Sequence, residues 1–225
     1  MCGRFSLSAS FQDIQEYFNI SEVSAEFRAR HNIAPTQPVV VISSHPERVL
    51  DTYRWGLIPT WAKDTSIGNR MINARSETID EKPSFKRPFK NQRCLILADG
   101  FYEWKKAGKE KIPIYVRLKS KEPFAFAGLW DRWVSGEGEV INSCTIITCE
   151  PNSLMKKFHH RMPVILTKAS HDVWLNHESQ DLDRLKELLK PYPAELMEAY
   201  MVSKEVNSPR NDSPECIVPI SDERL

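Results

Sequence analysis

The sequence predicts an α+β fold, a curved and mostly antiparallel sheet or open β-barrel with helices at its periphery. Three observations predict it. Short apolar runs rich in β-branched residues recur through the middle of the chain, PVVVIS at 38–43 and RCLILA at 93–98 being the clearest. Segments with helical periodicity are short, and they fall at the start and in the last third. With 225 residues, 41% hydrophobic and 27% charged, the chain is sized for one domain, 1–225, with a substantial core.

The first element is a helix within 8–19 (SASFQDIQEYFN), where Ser8 or Ser10 can cap and Phe11, Ile14, Tyr17 and Phe18 share a face. Strands are expected at 38–43, 49–56, 93–98, 101–105, 112–118, 124–129, 143–149, 162–167 and 200–205. Segments 151–158, 169–175 and 182–189 carry helical spacing between the later strands. Fifteen prolines punctuate the loops, and neither an internal repeat nor a low-complexity tract interrupts the pattern.

The opening residues show no basic segment followed by an apolar run, and no apolar stretch approaches the roughly 18 residues of a membrane span. A cytoplasmic or nuclear chain with no membrane partner is expected. Five cysteines (Cys2, Cys94, Cys144, Cys149, Cys216) are scattered without a C-x-x-C, which argues against a disulfide scaffold and a zinc site. Cys94, Cys144 and Cys149 lie in apolar runs and are expected to pack in the core; in a strand, Cys144 and Cys149 fall on opposite faces. Net charge is +1, but residues 178–225 hold 11 acidic and 6 basic side chains, leaving an excess of +6 in residues 1–177. Basic clusters at Arg28/Arg30, Lys86–Arg93, Lys105–Lys111 and Lys156–Arg161 permit an anionic partner in a local groove.

Polar groups sit among apolar ones in four segments. The first is the start, Met1-Cys2-Gly3-Arg4-Phe5. A small residue at position 2 lets the initiator methionine be trimmed, and a terminal Cys2 then carries an amine and a thiol on adjacent carbons. With reference pKa values of about 8 and about 8.5, both are partly nucleophilic at neutral pH. Such a pair can capture an aldehyde as an imine and close it into a thiazolidine ring. The second segment, MINARSE at 71–77, sets Asn73 and Arg75 after the tryptophan-rich RWGLIPTW at 54–61, with Trp55 and Trp61. In the third, LADGFYEWKK at 97–106, alternation puts Phe101 and Glu103 on one face and Tyr102 and Trp104 on the other. The fourth, FHHRMPVIL at 158–166, places two histidines and an arginine before a strand. Singly, an edge carboxylate in a salt bridge or a surface histidine accounts for each. Joined to a terminal cysteine, they supply a carboxylate for proton transfer, a histidine titrating near pH 6.5, and amide and guanidinium groups for positioning.

MCGRF, NIAPTQ at 32–37, RWGLIPTW at 54–61, INARSET at 72–78, LADGFYEW at 97–104 and HHRMPVIL at 159–166 resemble, in order and spacing, the signature blocks of the SRAP family. These are the SOS-response-associated peptidase domains, whose members crosslink covalently to abasic sites in single-stranded DNA. The resemblance spans roughly residues 1–220, although residues 178–199 match no block. It implies the family's compact barrel-like α+β fold, single-stranded DNA containing abasic sites as the partner, and a monomer. It also implies Cys2 as the crosslinking nucleophile, Asn73 beside it and Glu103 as the carboxylate that assists imine chemistry. Alignment on Arg161-Met162-Pro163 of an H-x-R-M-P block selects His159; His160 takes the variable position and, in an extended segment, points away from His159 and Arg161. Arg4, Arg75 and Arg161 fall where the family grips the DNA backbone, and Pro35 and Trp61 lie in blocks that border the groove. This chemistry needs no metal and no organic cofactor.

Two other classes share the same residues. A cysteine peptidase would use Cys2 as nucleophile with His159 and Glu103 as base and orienter, the chain's own Met1-Cys2 bond included, and would cleave peptides without DNA. A noncovalent single-strand-binding module would merely pack Cys2, and its complexes would dissociate in detergent.

Overall fold

The computed structural model describes residues 2–20, 22–23, 27–43, 48–178, 181–221 and 224–225; Met1, whose removal the expectation for Cys2 requires, lies outside them. In chain order the strands are β1 (Phe5–Leu7), β2 (Glu22–Val23), β3 (Arg30–Ile33), β4 (Pro38–Ser43), β5 (Val49–Trp55), β6 (Asn73–Arg75) and β7 (Arg93–Ala98). They continue as β8 (Gly100–Ala107), β9 (Glu110–Leu118), β10 (Phe124–Val134), β11 (Val140–Cys149), β12 (Met162–Pro163), β13 (Ile165–Leu166) and β14 (Met197–Met201). The helices are α1 (Phe11–Phe18), α2 (Pro83–Asn91), α3 (His171–Leu175) and α4 (Leu182–Glu187). The fold is α+β, and no helix among the described residues is long and apolar enough to cross a membrane.

Strands β11, β10, β7, β4 and β5 pair in succession, and β5 then pairs in parallel with β11, so the larger sheet closes on itself as a five-stranded barrel. Closure removes the exposed edges that an open sheet would leave. A second sheet, in the order β14-β9-β8-β1-β3, lies against the barrel. Aromatic rings join the two: Phe5 of β1 meets Trp55 of β5 at 5.0 Å and Phe126 of β10 at 5.6 Å, both edge-on, and Phe101 of β8 meets Phe126 at 6.1 Å. Edge-to-face contacts of this kind add about 0.5–1.5 kcal/mol each to the apolar area they bury. Tyr102 and Trp104 lie in the separate Tyr102–Tyr115–Tyr200 cluster, so Phe101 and Tyr102 do take opposite faces of β8.

Two local devices carry polar residues to the barrel's rim. First, the chain leaves β5 and rejoins the same edge of β11 at β6, with Gly56 N–H donating to the Cys144 carbonyl and Ile146 N–H to that of Ile72. Gly56 has φ +126°, and a Cβ there would stand 2.5 Å from the Gly68 carbonyl oxygen, so the loop between the glycines is pinched shut by their backbones. Second, β10 and β11 fork apart beyond Gly128 and Ile146, and residues 162–166 fill the fork. β12 pairs with β11, β13 pairs with β10, and Val164 bonds to both.

The helix at 8–19 is α1, capped by Ser10, whose side chain accepts from Asp13 N–H. Most expected strands match within a few residues, with three differences. The segment 162–167 is split, because Pro163 has no N–H and the chain changes partner at Val164. The last strand is Met197–Met201 rather than 200–205; Ser203 accepts from Glu205 N–H and turns the chain into a 3-10 segment. At 151–158 only a 3-10 turn, Met155–Lys157, forms in place of the expected helix, entered at Asn152, whose Oδ1 accepts from Met155 N–H. All five cysteines are buried and free.

Candidate active site

Cys2 is brought to the junction of barrel and sheet by the β1–β8 ladder. Phe5 lies opposite Phe101, and Tyr102 N–H donates to the Arg4 carbonyl at 2.9 Å, so the next step outward sets Gly3 level with Glu103. From the barrel side, Asn73 of β6 donates from Nδ2 to the Cys2 carbonyl at 2.9 Å. The Asn73 Oδ1 is buried and has no hydrogen-bond partner among the described residues. The Cys2 side chain is fully buried, its S–H directed at the Arg4 carbonyl at 3.9 Å. Burial, reinforced by the charge of Glu103, pushes the Cys2 thiol well above its ordinary pKa.

Glu103 is 4% exposed, and burial raises its carboxyl to about 7, partly offset by the charge of the chain's terminal ammonium. It therefore stands near half-protonation at neutral pH, able both to accept and to return a proton. His159 reaches the same place from the loop before β12. Arg161 N–H donates to its Nδ1 at 3.0 Å, so the neutral ring carries its proton on Nε2. Burial holds its pKa down at about 4, which keeps the ring neutral at pH 7. Glu103 and His159 line one cavity of about 410 Å³, together with Trp104, Lys106, Lys111 and Asn207.

The remaining expected residues are placed differently. The His160 ring stacks on that of His159 at 4.3 Å, because the chain bends at His160 instead of running extended, so it does not point away. Arg75, at the end of β6, is exposed. Arg161 is engaged by Glu77 in a two-pronged ion pair at 2.5 and 2.9 Å and donates to the Thr148 carbonyl at 2.5 Å. Arg4 is 9% exposed; its Nη1 donates to Asn32 Oδ1 and the Val206 carbonyl, each at 2.6 Å, beneath the Trp104 ring system at 5.8 Å. Trp61 is 57% exposed on the pinched loop, and Pro35 is half-buried; neither lines the cavity of Glu103 and His159. The backbone on both sides of Trp61 is fixed, with Thr60 N–H donating to Asp131 and Trp133 Nε1 to the Ala62 carbonyl.

Sequence reasoning missed Asn207, which wedges against Trp104 Nε1 at 2.7 Å and carries no local signal. It also missed the roles of Lys106 and Lys111 as cavity walls, although the basic run from 105 to 111 was visible.

A closed mixed barrel with a second sheet docked on it, and a site built around the chain's second residue where they meet, define one architectural class. The fold is similar to that of a protein from Bacteroides thetaiotaomicron with a crystal structure, at a TM-score of 0.87 and 30% identity over 97% of this chain and 99% of that one. The chain belongs to the SRAP family: residues 1–209 match the family model described as SOS response associated peptidase (SRAP). It is 52% identical over 221 residues to the abasic site processing protein YoqW of Bacillus subtilis, covering 96% of this chain and 99% of the relative. It is also 35% identical to the abasic site processing protein HMCES of Gallus gallus, covering 86% of this chain and 67% of that one.

Proposed function

We propose that this chain processes abasic sites in single-stranded DNA by covalent capture, with Cys2 as the N-terminal nucleophile once Met1 is removed. The observation that carries the reading is the seating of Cys2: its carbonyl is held by Asn73, one residue from the level at which Gly3 meets Glu103 across β1 and β8, where a carboxyl of pKa about 7 shares a cavity with a neutral histidine. A sugar without its base equilibrates between a closed ring and an open aldehyde. His159 Nε2–H donates to the ring oxygen and favours opening. The freed Cys2 amine forms a C–N bond to the aldehyde carbon, Glu103 returns the proton that lets water leave, and the imine results. The S–H bond then adds across C=N, the sulfur joining the carbon and the proton the nitrogen, and the thiazolidine closes with the loss of one water overall.

The buried, unpartnered Asn73 Oδ1 supplies an acceptor for that amine. The raised thiol pKa favours the amine as first nucleophile over a thiolate, and so favours capture over peptidase chemistry. Holding a nucleophile at near-attack distance is worth about 7–11 kcal/mol of barrier in favourable cases. The DNA strand would be met by exposed Arg75 and by stacking on exposed Trp61, with Pro35 a further contact and with Arg161 and Arg4 supporting the site from their internal pairs. Intact mass spectrometry after incubation with an oligonucleotide carrying one abasic site tests the reading. The expected species is the Met1-free protein plus oligonucleotide less one water; full recovery of unmodified protein would sink it.

A further inference from the structure

The hairpin that carries Glu103 ends in an arrangement that costs stability. Lys106 and Lys111 are paired directly across β8 and β9, and both line the cavity that Glu103 and His159 share. Like charges at opposed positions on one sheet face destabilise a hairpin. Among the described residues neither lysine has an ion-pair partner, whereas Glu110, one step further toward the tip, is taken by Lys204 at 3.0 Å. A second cavity, of about 670 Å³, adjoins the first through Lys106 and His159, and its charged or titratable walls are Lys106, Lys156, Lys157, His159 and His160, with no carboxylate. Lys106 therefore stands on the ridge between the two cavities.

An ammonium on a four-carbon stem binds phosphate as a movable point charge, and two of them facing each other are relieved by one anion between them. Resting on the function proposed above, we infer that the Lys106–Lys111 pair is a phosphate subsite: it holds the phosphate bound directly to the abasic sugar, and the strand continues past Lys106 toward Lys156 and Lys157. The arrangement makes the site specific for phosphorylated deoxyaldoses over free ones, a discrimination that Cys2, Glu103 and His159 do not themselves supply.

Two measurements on the Met1-free protein and its Lys106→Gln/Lys111→Gln variant test this. The first is anisotropy of an undamaged labelled oligothymidylate against salt, which needs no covalent chemistry; each lost phosphate contact lowers the slope of log K on log salt by about 0.7. The variant is expected to lose between about 0.7 and 1.4 of slope, and Lys106→Arg/Lys111→Arg to keep it. The second is the rate of adduct formation with 2-deoxyribose and with 2-deoxyribose 5-phosphate, read by intact mass. Wild type should capture the phosphorylated sugar faster by about tenfold or more, which is about 1.4 kcal/mol. In the variant the ratio of the two capture rates should fall by about that factor. An unchanged salt slope, or a preference retained in the variant, overturns the subsite. No adduct with either sugar in wild type, alongside a lowered slope in the variant, would overturn the covalent function and leave the phosphate subsite standing.

Discussion

Glu103 shows what it costs to bury a carboxyl that titrates near neutral pH. Its folded pKa of about 7 lies above the ordinary 4.5, so the unfolded chain gives up the proton first as pH rises. The carboxyl's contribution to stability is therefore complete below pH 4.5 and is lost as pH rises through 7, a penalty of at most about 3 kcal/mol at higher pH. Glu103→Gln should raise the urea midpoint at pH 8 and leave it nearly unchanged at pH 4, while slowing imine formation and its reversal together. A variant equally stable relative to wild type at both pH values would show that the carboxyl is not buried in its neutral form. The proposed roles of Cys2 and His159 can be separated by experiment. Cys2→Ser keeps the amine and should give only an imine that borohydride traps, with no heat-stable adduct. His159→Gln should slow capture of closed sugar rings by tenfold or more and slow capture of an aldehyde that is already open far less, which competing the two substrates in one reaction would reveal. An equal loss on both would move His159 from ring opening to a later step.

At the scale of elements, α2 and α3 are tied to the barrel by a buried cation. Arg93 of β7 is 1% exposed, yet among the described residues it pairs with no carboxylate. Its guanidinium donates to the carbonyls of Phe89 and Lys90 at the end of α2 and of Trp174 and Asn176 at the end of α3, where helix dipoles are negative and orphan acceptors collect. Arg93→Met would leave those acceptors buried and unpaired, and should cost about 3 kcal/mol or more by urea titration; a loss under about 1 kcal/mol would mean that water replaces the guanidinium there. His171, which opens α3, stacks on Phe18 at 5.5 Å, and burial beside the Arg48 cation holds its pKa at about 4. Because the unfolded imidazole titrates near 6.5, stability is full above that pH and falls as pH drops toward 4, by at most about 3 kcal/mol. His171→Phe should flatten the stability profile between pH 6.5 and 4, read from thermal midpoints. β4 and β7 were legible in the sequence because their apolar runs are long and decide burial locally. α2 was not: Pro83 fills the first turn, where its missing N–H is no loss, but Pro88 inside the helix erases the helical signal that packing then overrides. β3 and β6 are short and polar, and only their neighbours make them strands.

At the scale of the whole molecule, the site is where the two sheets meet. Cys2 and Glu103 come from one sheet, Asn73 and His159 from the edge and fork of the barrel, and none of these unions is local in sequence. Residue type and motif order single out the four as candidates, and the fold brings them from these separate segments toward one region. What they could not convey is which arginines are already spoken for, since that depends on partners such as Glu77, Asn32 and Val206 that lie in unrelated segments.

That difference separates Arg75 from Arg161, although both border the site. Arg161 ties the His159 loop to Glu77 and Thr148, and thereby to the β6–β11 ladder that carries Asn73. Arg161→Met should therefore act on the chemistry: capture of closed-ring sites falls about tenfold, about 1.4 kcal/mol, as the His159 ring loses its fixed donor geometry. Affinity for an undamaged single strand should change less than about twofold, because no exposed charge is removed from the strand's path. Arg75→Ala should do the reverse. Binding should weaken by about 1–3 kcal/mol, the range for a lost charge-assisted hydrogen bond. Its salt slope should fall by about 0.7, and the crosslinking rate at saturating DNA should stay close to wild type. Salt-dependent anisotropy and single-turnover crosslinking on the two variants distinguish these roles. If Arg161→Met lowers the salt slope as Arg75→Ala does, its guanidinium leaves Glu77 for a phosphate when the strand binds, and the ion pair is then a resting contact that the DNA displaces.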